Sequence, residues 1–198
     1  LAQMVRDPYL VFFNHFNEEN NWKGVTLKEE DILFCKAVTR QFLRYSPVTI
    51  VKEVTPLLDY ELPKEWIYSH IGGHPITVSV KGRERQLAGF GRRCSLVLAD
   101  KDSGQPEDNP LMGLFQAYII PDIKEQDWDR VGQAELMSIE VFPTLNERLY
   151  LCFLYGKNIN PEQDISLGKP LPDDYETYID ILTNSPEARR LYLGEHEE

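Results

Sequence analysis

The chain has 198 residues, of which 42% are hydrophobic and 11% aromatic, and its formal net charge is -11. This length and this apolar content predict a single folded domain and argue against intrinsic disorder for most of the chain. The acidity argues against general binding to nucleic acid or to an anionic membrane.

Two helix start signals lie in the N-terminal segment, residues 7–45. Asp7-Pro8 puts a capping carboxylate before a proline at the first helical position. Thr26 and Glu29 have the spacing of a capping box, and apolar residues at helical intervals follow as far as Tyr45. We therefore predict two helices in this segment.

The next segment has weaker signals. Residues 48–54 are rich in β-branched side chains and are compatible with a strand that Pro56 ends. Residues 62–71 are typical of a short helix, because a glycine pair, Gly72-Gly73, follows them.

Residues 75–156 are predicted to form the sheet core. Alternating or continuous apolar runs predict strands at 75–81, 93–100 and 111–120. A short helix that ends at Gly132 is expected to follow these strands.

A hairpin is predicted at the end of this core. Residues 137–141 alternate between apolar and polar side chains, whereas residues 149–155 are apolar on both faces. A strand that is buried on both faces lies centrally in a sheet, so we expect Leu151 and Phe153 to be core residues.

The C-terminal segment, residues 173–198, is acidic and is predicted to be helical, after a loop over residues 157–171. It carries eight acidic residues against two arginines, Arg189 and Arg190. Two interpretations remain open for this charge: a solvated helical face, or a docking surface for a basic partner.

These elements together predict an α+β fold. We expect a single domain with a mostly antiparallel sheet of about five strands, on which the N-terminal and C-terminal helices pack.

Segment 81–93 has the sequence features most typical of a binding site. It holds five basic residues and one acidic residue in an otherwise acidic chain. Arginine recognises phosphate or carboxylate bidentately, and a phenylalanine between two glycines can stack on a base. The alternative is an ordinary hairpin loop whose arginines pair with the chain's own acids. The candidate residues for binding an anion or a partner are Arg83, Arg85, Phe90, Arg92 and Arg93.

Other reactive residues are weaker candidates. His70 and His74 are four residues apart, but the glycine pair breaks the helix that a metal site would need. Cys94 follows two arginines, which could lower its pKa, although an inward side chain in a strand is the simpler interpretation. The three cysteines form no CxxC pair, and the longest apolar run is too short to span a bilayer. We therefore expect a reducing, cytoplasmic compartment and no membrane partner.

With no catalytic motif, the leading functional prediction is a non-catalytic regulatory, accessory or adaptor protein that acts through protein–protein contacts. The alternative is binding of nucleic acid or of a phosphate ligand through segment 81–93. An enzyme with an unrecognised site ranks third. No catalytic residue, cofactor or metal is predicted, and homo-oligomerisation is left open.

Overall fold

The computed structural model describes residues 1–70, 74–99 and 115–183. Within them, ten strands lie in three sheets, with five α-helices and three short 3-10 helices. The strands are β1 (Ala2–Arg6), β2 (Tyr9–Phe13), β3 (Ile32–Val38), β4 (Glu65–His70), β5 (Ile76–Val80), β6 (Arg83–Leu87), β7 (Arg93–Ala99), β8 (Phe115–Ile120), β9 (Glu135–Leu136) and β10 (Ile139–Glu140). The α-helices are α1 (Arg40–Tyr45), α2 (Trp128–Val131), α3 (Thr144–Tyr155), α4 (Pro161–Leu167) and α5 (Glu176–Thr183). The 3-10 helices are Glu29–Asp31, Glu125–Asp127 and Asp173–Tyr175.

The α+β class is therefore confirmed, but the single sheet of about five strands is wrong. Five of the seven strand pairings in the described residues are antiparallel. The two parallel pairings join β10 to β3 and β9 to β4. The prediction of one domain stays a prediction, and the residues group into two compact units that we describe separately.

Unit 1 consists of the described residues of Leu1–Leu62, Ile139–Ile159 and Asp180–Glu198. Its four-stranded sheet has the order β1-β2-β3-β10. All five residues of β2 are buried, as are the last five of β3. One face of the sheet is covered by α1 and α3 through a core of Leu10, Phe12, Phe34, Val38, Phe42, Phe142, Leu145 and Cys152.

Unit 2 consists of the described residues of Pro63–Ser138 and Asn160–Ile179. A four-stranded sheet of order β8-β7-β4-β9 lies beside a separate two-stranded sheet, β5-β6. The core formed by the larger sheet, α2 and the neighbouring turns contains Ile67, Cys94, Leu96, Ile123, Val131, Ala134 and Leu136.

The two helices expected in residues 7–45 are largely wrong. Asp7-Pro8 forms the turn between β1 and β2, and the residues after Thr26 enter a 3-10 turn and then β3. Only the short α1 is helical at the end of the segment, with Thr39 as its N-cap. The spacing was misleading because a strand buried on both faces is apolar at every position, which includes the positions of a helical stripe.

The hairpin expected over 137–156 is also wrong, because Thr144–Tyr155 is helix α3. Its buried residues, Thr144, Leu145, Arg148, Leu151 and Cys152, recur at helical intervals. The segment contains no β-branched residue after Thr144, and Gly156 ends it with a φ of 63°. These are the features of a helix with a glycine C-cap, which the continuous apolar run concealed.

Three further segments have a structure different from the one predicted. Residues 65–70 form a strand rather than a helix, and residues 48–54 contain no strand. Helix α4 lies in the expected loop, with Asn160 as N-cap, Pro161 in its first turn and Gly168 as C-cap. The strands at 75–81 and 93–100 and the helical residues 128–131 and 176–183 were predicted.

Some predictions fall partly or wholly outside the described residues. The start of the strand at 111–120 and residues 184–198 of the acidic C-terminal segment belong to this group. Across the described part of the chain, every helix is too short or too polar to pass through a bilayer.

Candidate functional site

The basic segment 81–93 contains a strand as well as a turn. Residues Lys81 and Gly82 connect β5 to β6, which places Arg83 opposite Val80. Lys81 Nζ lies 2.6 Å from a carboxylate oxygen of Glu176, and Arg83 Nη1 lies 3.5 Å from the other. Two of the basic side chains therefore share one carboxylate of α5, and the Lys81 hydrogen bond lowers the pKa of Glu176.

The remaining candidate residues do not share one sheet. Arg85 is on β6 and donates from Nη1 to Glu84 O at 3.3 Å, while Phe90 is half-buried in the turn that follows. Arg93 opens β7 and pairs across the strands with His70 of β4. Because β6 and β7 belong to different sheets, residues 81–93 are not a single hairpin loop between two paired strands.

Arg92 is different, because it borders a cleft. This cleft, which we call the Arg92 cleft, has a volume of about 290 Å³ and is lined by Thr77, Val78, Ser79, Arg92, Ile165, Gly168, Lys169, Pro170 and Leu171. Arg92 Nη2 donates to the backbone oxygen of Thr77 at 2.5 Å. Its other terminal nitrogen, Nη1, lies beside Gly168, 3.9 Å from where a β-carbon there would stand.

Lys169 is a second basic residue that lines this cleft. Its Nζ lies 2.9 Å from Asp164 Oδ1 and 5.7 Å from the centre of the Trp128 ring. Tyr175 donates its hydroxyl to the other oxygen of Asp164 at 2.7 Å. These contacts orient the lysine at the C-terminal end of α4, where a cation also complements the helix dipole.

A serine and a histidine also approach each other in unit 2. His70 Nε2 lies 2.8 Å from Ser95 Oγ, and the Ser95 hydroxyl donates to Pro121 O at 2.6 Å. Ser95 is fully buried, and its single proton is already engaged, so His70 must be the donor to it. A nucleophilic serine needs the opposite direction of proton transfer and access to substrate, so this pair is structural.

The cysteines give no reactive thiol. Cys35, Cys94 and Cys152 are all free and buried. Burial raises the pKa of Cys94 to about 11, so the neighbouring arginines do not produce the low pKa that a nucleophile requires. Among the described residues, no group of three or more histidine, cysteine or acidic side chains is placed to hold a metal ion.

Unit 1 exposes a group of large apolar side chains on one face of α3. Tyr150 is 55% exposed, Phe153 48% and Leu154 54%, and Phe16 packs on Phe153 with ring centroids 5.1 Å apart. We call these four residues the α3 apolar surface. Contiguous exposed apolar side chains of this kind mark interaction sites more often than scattered ones do.

An acidic side chain lies on the same helix face. Glu147 is one turn before Tyr150 and is half-buried, and this burial raises its pKa. No ion pair of Glu147 is present within the described residues, although the carboxylate is partly removed from water. A cation from a partner would recover part of that lost hydration energy.

The sequence reasoning missed the α3 apolar surface because it assigned these residues to a buried strand. A helix over this segment has Leu145, Arg148 and Cys152 on one face and Tyr150, Phe153 and Leu154 on the other. The signal was the absence of β-branched residues before the glycine at position 156.

Comparisons of the chain with protein-family models, with curated proteins and with solved structures found no match.

Proposed function

We propose that this protein is a non-catalytic regulatory, accessory or adaptor protein that binds another protein through the α3 apolar surface. The observation that carries the proposal is the exposure of Tyr150, Phe153 and Leu154 on one helix face, with Phe16 packed beside them. Aromatic side chains at such a surface supply most of the energy of many protein–protein contacts.

The surface is held on a rigid support. The opposite face of α3 is fixed in the core of unit 1 by Leu145 and Cys152, and Leu151 is also fully buried on that face. Asn14 Nδ2 donates to Gly156 O at 3.1 Å, which fixes the end of the helix beside the segment that carries Phe16. A preorganised surface loses little conformational entropy on binding, so more of the contact energy remains as affinity.

The two most exposed apolar residues of unit 1 lack this arrangement. Ile50 is 84% exposed and Leu58 is 74% exposed, but both lie in the irregular segment between α1 and β4. Single exposed apolar residues are normal on protein surfaces. They therefore serve as controls rather than as a second site.

The expected partner presents apolar side chains together with lysine or arginine. Glu147 borders the α3 apolar surface, and the whole chain has a net charge of -11. Charge complementarity of this kind steers association and excludes acidic partners. The three buried, free thiols support a reducing compartment such as the cytoplasm.

The experiment is a comparison of surface variants in their binding to host proteins. Phe153→Ser combined with Tyr150→Ser should abolish capture of the partner from a native host lysate, whereas Leu58→Ser should leave capture unchanged. Thermal unfolding of each variant checks that the fold is retained. Equal capture by all three proteins would overturn the proposal, as would light scattering that shows a dimer formed through this surface.

A further inference from the structure

We propose that unit 2 binds a small oxyanion ligand, a phosphate or carboxylate attached to an apolar body, in the Arg92 cleft. This site lies in unit 2 and does not depend on the α3 apolar surface. Arg92, Lys169 and the apolar residues of the cleft walls together favour such a ligand.

The Arg92 guanidinium has hydrogen-bond donors beyond the one that binds Thr77 O. A guanidinium carries five N–H donors, and the described residues accept one hydrogen bond from it, through Thr77 O. No carboxylate of the described residues forms an ion pair with Arg92, in contrast to Arg83 and Lys81, which share Glu176. One corner of the guanidinium is thus fixed by the backbone, while the remaining edge can receive an oxyanion bidentately.

Lys169 is the second basic residue that lines the cleft, and its charge is paired with Asp164. Asp164 holds its Nζ at 2.9 Å, and the ammonium group has three protons, so it can still donate to a ligand. Because Asp164 also accepts from Tyr175, its negative charge is shared between two donors. The two cations line one cavity in a chain whose overall charge is strongly negative.

The other walls suit an apolar body with polar edges. Val78, Ile165 and Leu171 contribute apolar surface. The alternation of β5 buries Val78 and exposes Thr77 and Ser79, and the backbone oxygen of Thr77 accepts the Arg92 hydrogen bond at the cleft. Ligand pockets combine apolar walls with a few polar groups in this way.

The size of the cleft limits the ligand. Its volume of about 290 Å³ is just below the range of roughly 300–1,000 Å³ that is usual for small-molecule pockets. A compact phosphate ester or an aryl or alkyl carboxylate fits this volume. A nucleic-acid strand would need a continuous basic groove, whereas Arg83 and Lys81 are already engaged by Glu176.

The test is an NMR titration of the full chain with three probes of similar shape: phenyl phosphate, benzoate and the neutral benzamide. We expect saturable shifts of the backbone amides of Thr77, Ser79 and Gly168 with one or both anions at millimolar concentration. Benzamide should leave these amides unchanged. A stronger response to phenyl phosphate identifies a phosphate ligand, and a stronger response to benzoate identifies a carboxylate.

Two neighbouring arginines give matched variants. Arg92→Gln should weaken anion binding by about tenfold or more, as expected for the loss of a charge-assisted bidentate contact. Arg93→Gln removes the same charge from the next position and should keep the affinity. Lys169→Gln should give an intermediate loss and serves as a second variant if Arg92→Gln fails to fold.

Four outcomes would overturn the proposal. The first is the absence of anion-induced shifts at the cleft amides, and the second is an equal response to benzamide. The third is an equal loss of affinity in Arg92→Gln and Arg93→Gln, which would indicate diffuse charge attraction rather than a defined site. Binding of a single-stranded oligonucleotide without a response to phenyl phosphate would likewise contradict a small-ligand cleft.

Discussion

The guanidinium carbon of Arg148 lies 3.6 Å from the centre of the Phe34 ring, inside the core of unit 1. The Arg148 side chain is fully buried, and its Nη1 lies 3.3 Å from Glu140 Oε1. Its Nε donates to Ile159 O at 3.0 Å and its Nη2 to Asn158 Oδ1 at 3.0 Å. These contacts give the charge a carboxylate, an amide side chain, a backbone carbonyl and an aromatic face as partners.

Arg148→Ala is expected to lower the free energy of unfolding by about 3–5 kcal/mol, because it leaves Glu140 buried without its cation. Chemical denaturation measures the change. The double variant Arg148→Met with Glu140→Leu removes both buried charges together. Its loss in free energy of unfolding should therefore be smaller than the summed losses of the single variants Arg148→Met and Glu140→Leu. An additive double variant would show that the two residues are not coupled.

Leu151 and Phe153 lie two positions apart on α3 and should respond very differently to truncation. Leu151→Ala should cost about 2–5 kcal/mol, because Leu151 is 1% exposed. Phe153→Ala should cost about 0.5–1.5 kcal/mol, the loss of its ring contact with Phe16. Denaturation midpoints measured under the same conditions compare the two. Equal losses would mean that Phe153 is buried, as a central strand would require.

The Cys94 thiol should be inert and should make the fold sensitive to alkaline pH. Its pKa is raised by burial to about 11 from an ordinary value of 9.0, so the folded state holds the proton more tightly than the unfolded chain does. Stability should consequently be intact below pH 9.0 and fall as the pH rises toward about 11. A stability–pH curve of Cys94→Ala should lack this component. Rapid native-state labelling of Cys94 would contradict its burial.

His70 should remain neutral to a lower pH than a free imidazole. Burial and then the charge of Arg93 lower its pKa below 6.5, while Asp122 acts in the opposite direction. The unfolded chain therefore takes up this proton first, and the stability contribution present above pH 6.5 is lost as the pH falls through the folded-state pKa. NMR titration of the ring measures the shift. Arg93→Gln should raise the pKa and Asp122→Asn should lower it further; no change in either variant would contradict the assigned charges.

Local sequence patterns were sufficient to predict an element where a single pattern, such as alternation or a helix cap, was present. The alternation of Ile76, Val78 and Val80 with Thr77 and Ser79 predicts a strand buried on one face, and β5 has this burial. The strand at 93–99 and the helical turns after Asp173 follow equally local signals. The inward position of Cys94 in its strand was also predicted, and this thiol is free and buried.

Continuous apolar runs could not be assigned from the sequence. Tyr9–Phe13 and Leu149–Tyr155 are both apolar at nearly every position, yet the first is a central strand and the second is half of a helix. Periodicity carries no information when every position is apolar, so the neighbours in space decide between strand and helix. For Tyr9–Phe13, pairing with β1 and β3 makes the strand.

For the candidate sites, too, the sequence determined some properties and tertiary contacts decided the others. The basic composition of residues 81–93 and the acidity of the whole chain are properties of the sequence by itself. Only the tertiary structure decided that Glu176 neutralises Lys81 and Arg83 while Arg92 borders a cleft with Lys169. It also decided that Phe153 faces outward and Arg148 inward. The physical reason is that burial and charge pairing depend on contacts between residues far apart in the chain, which local spacing does not encode.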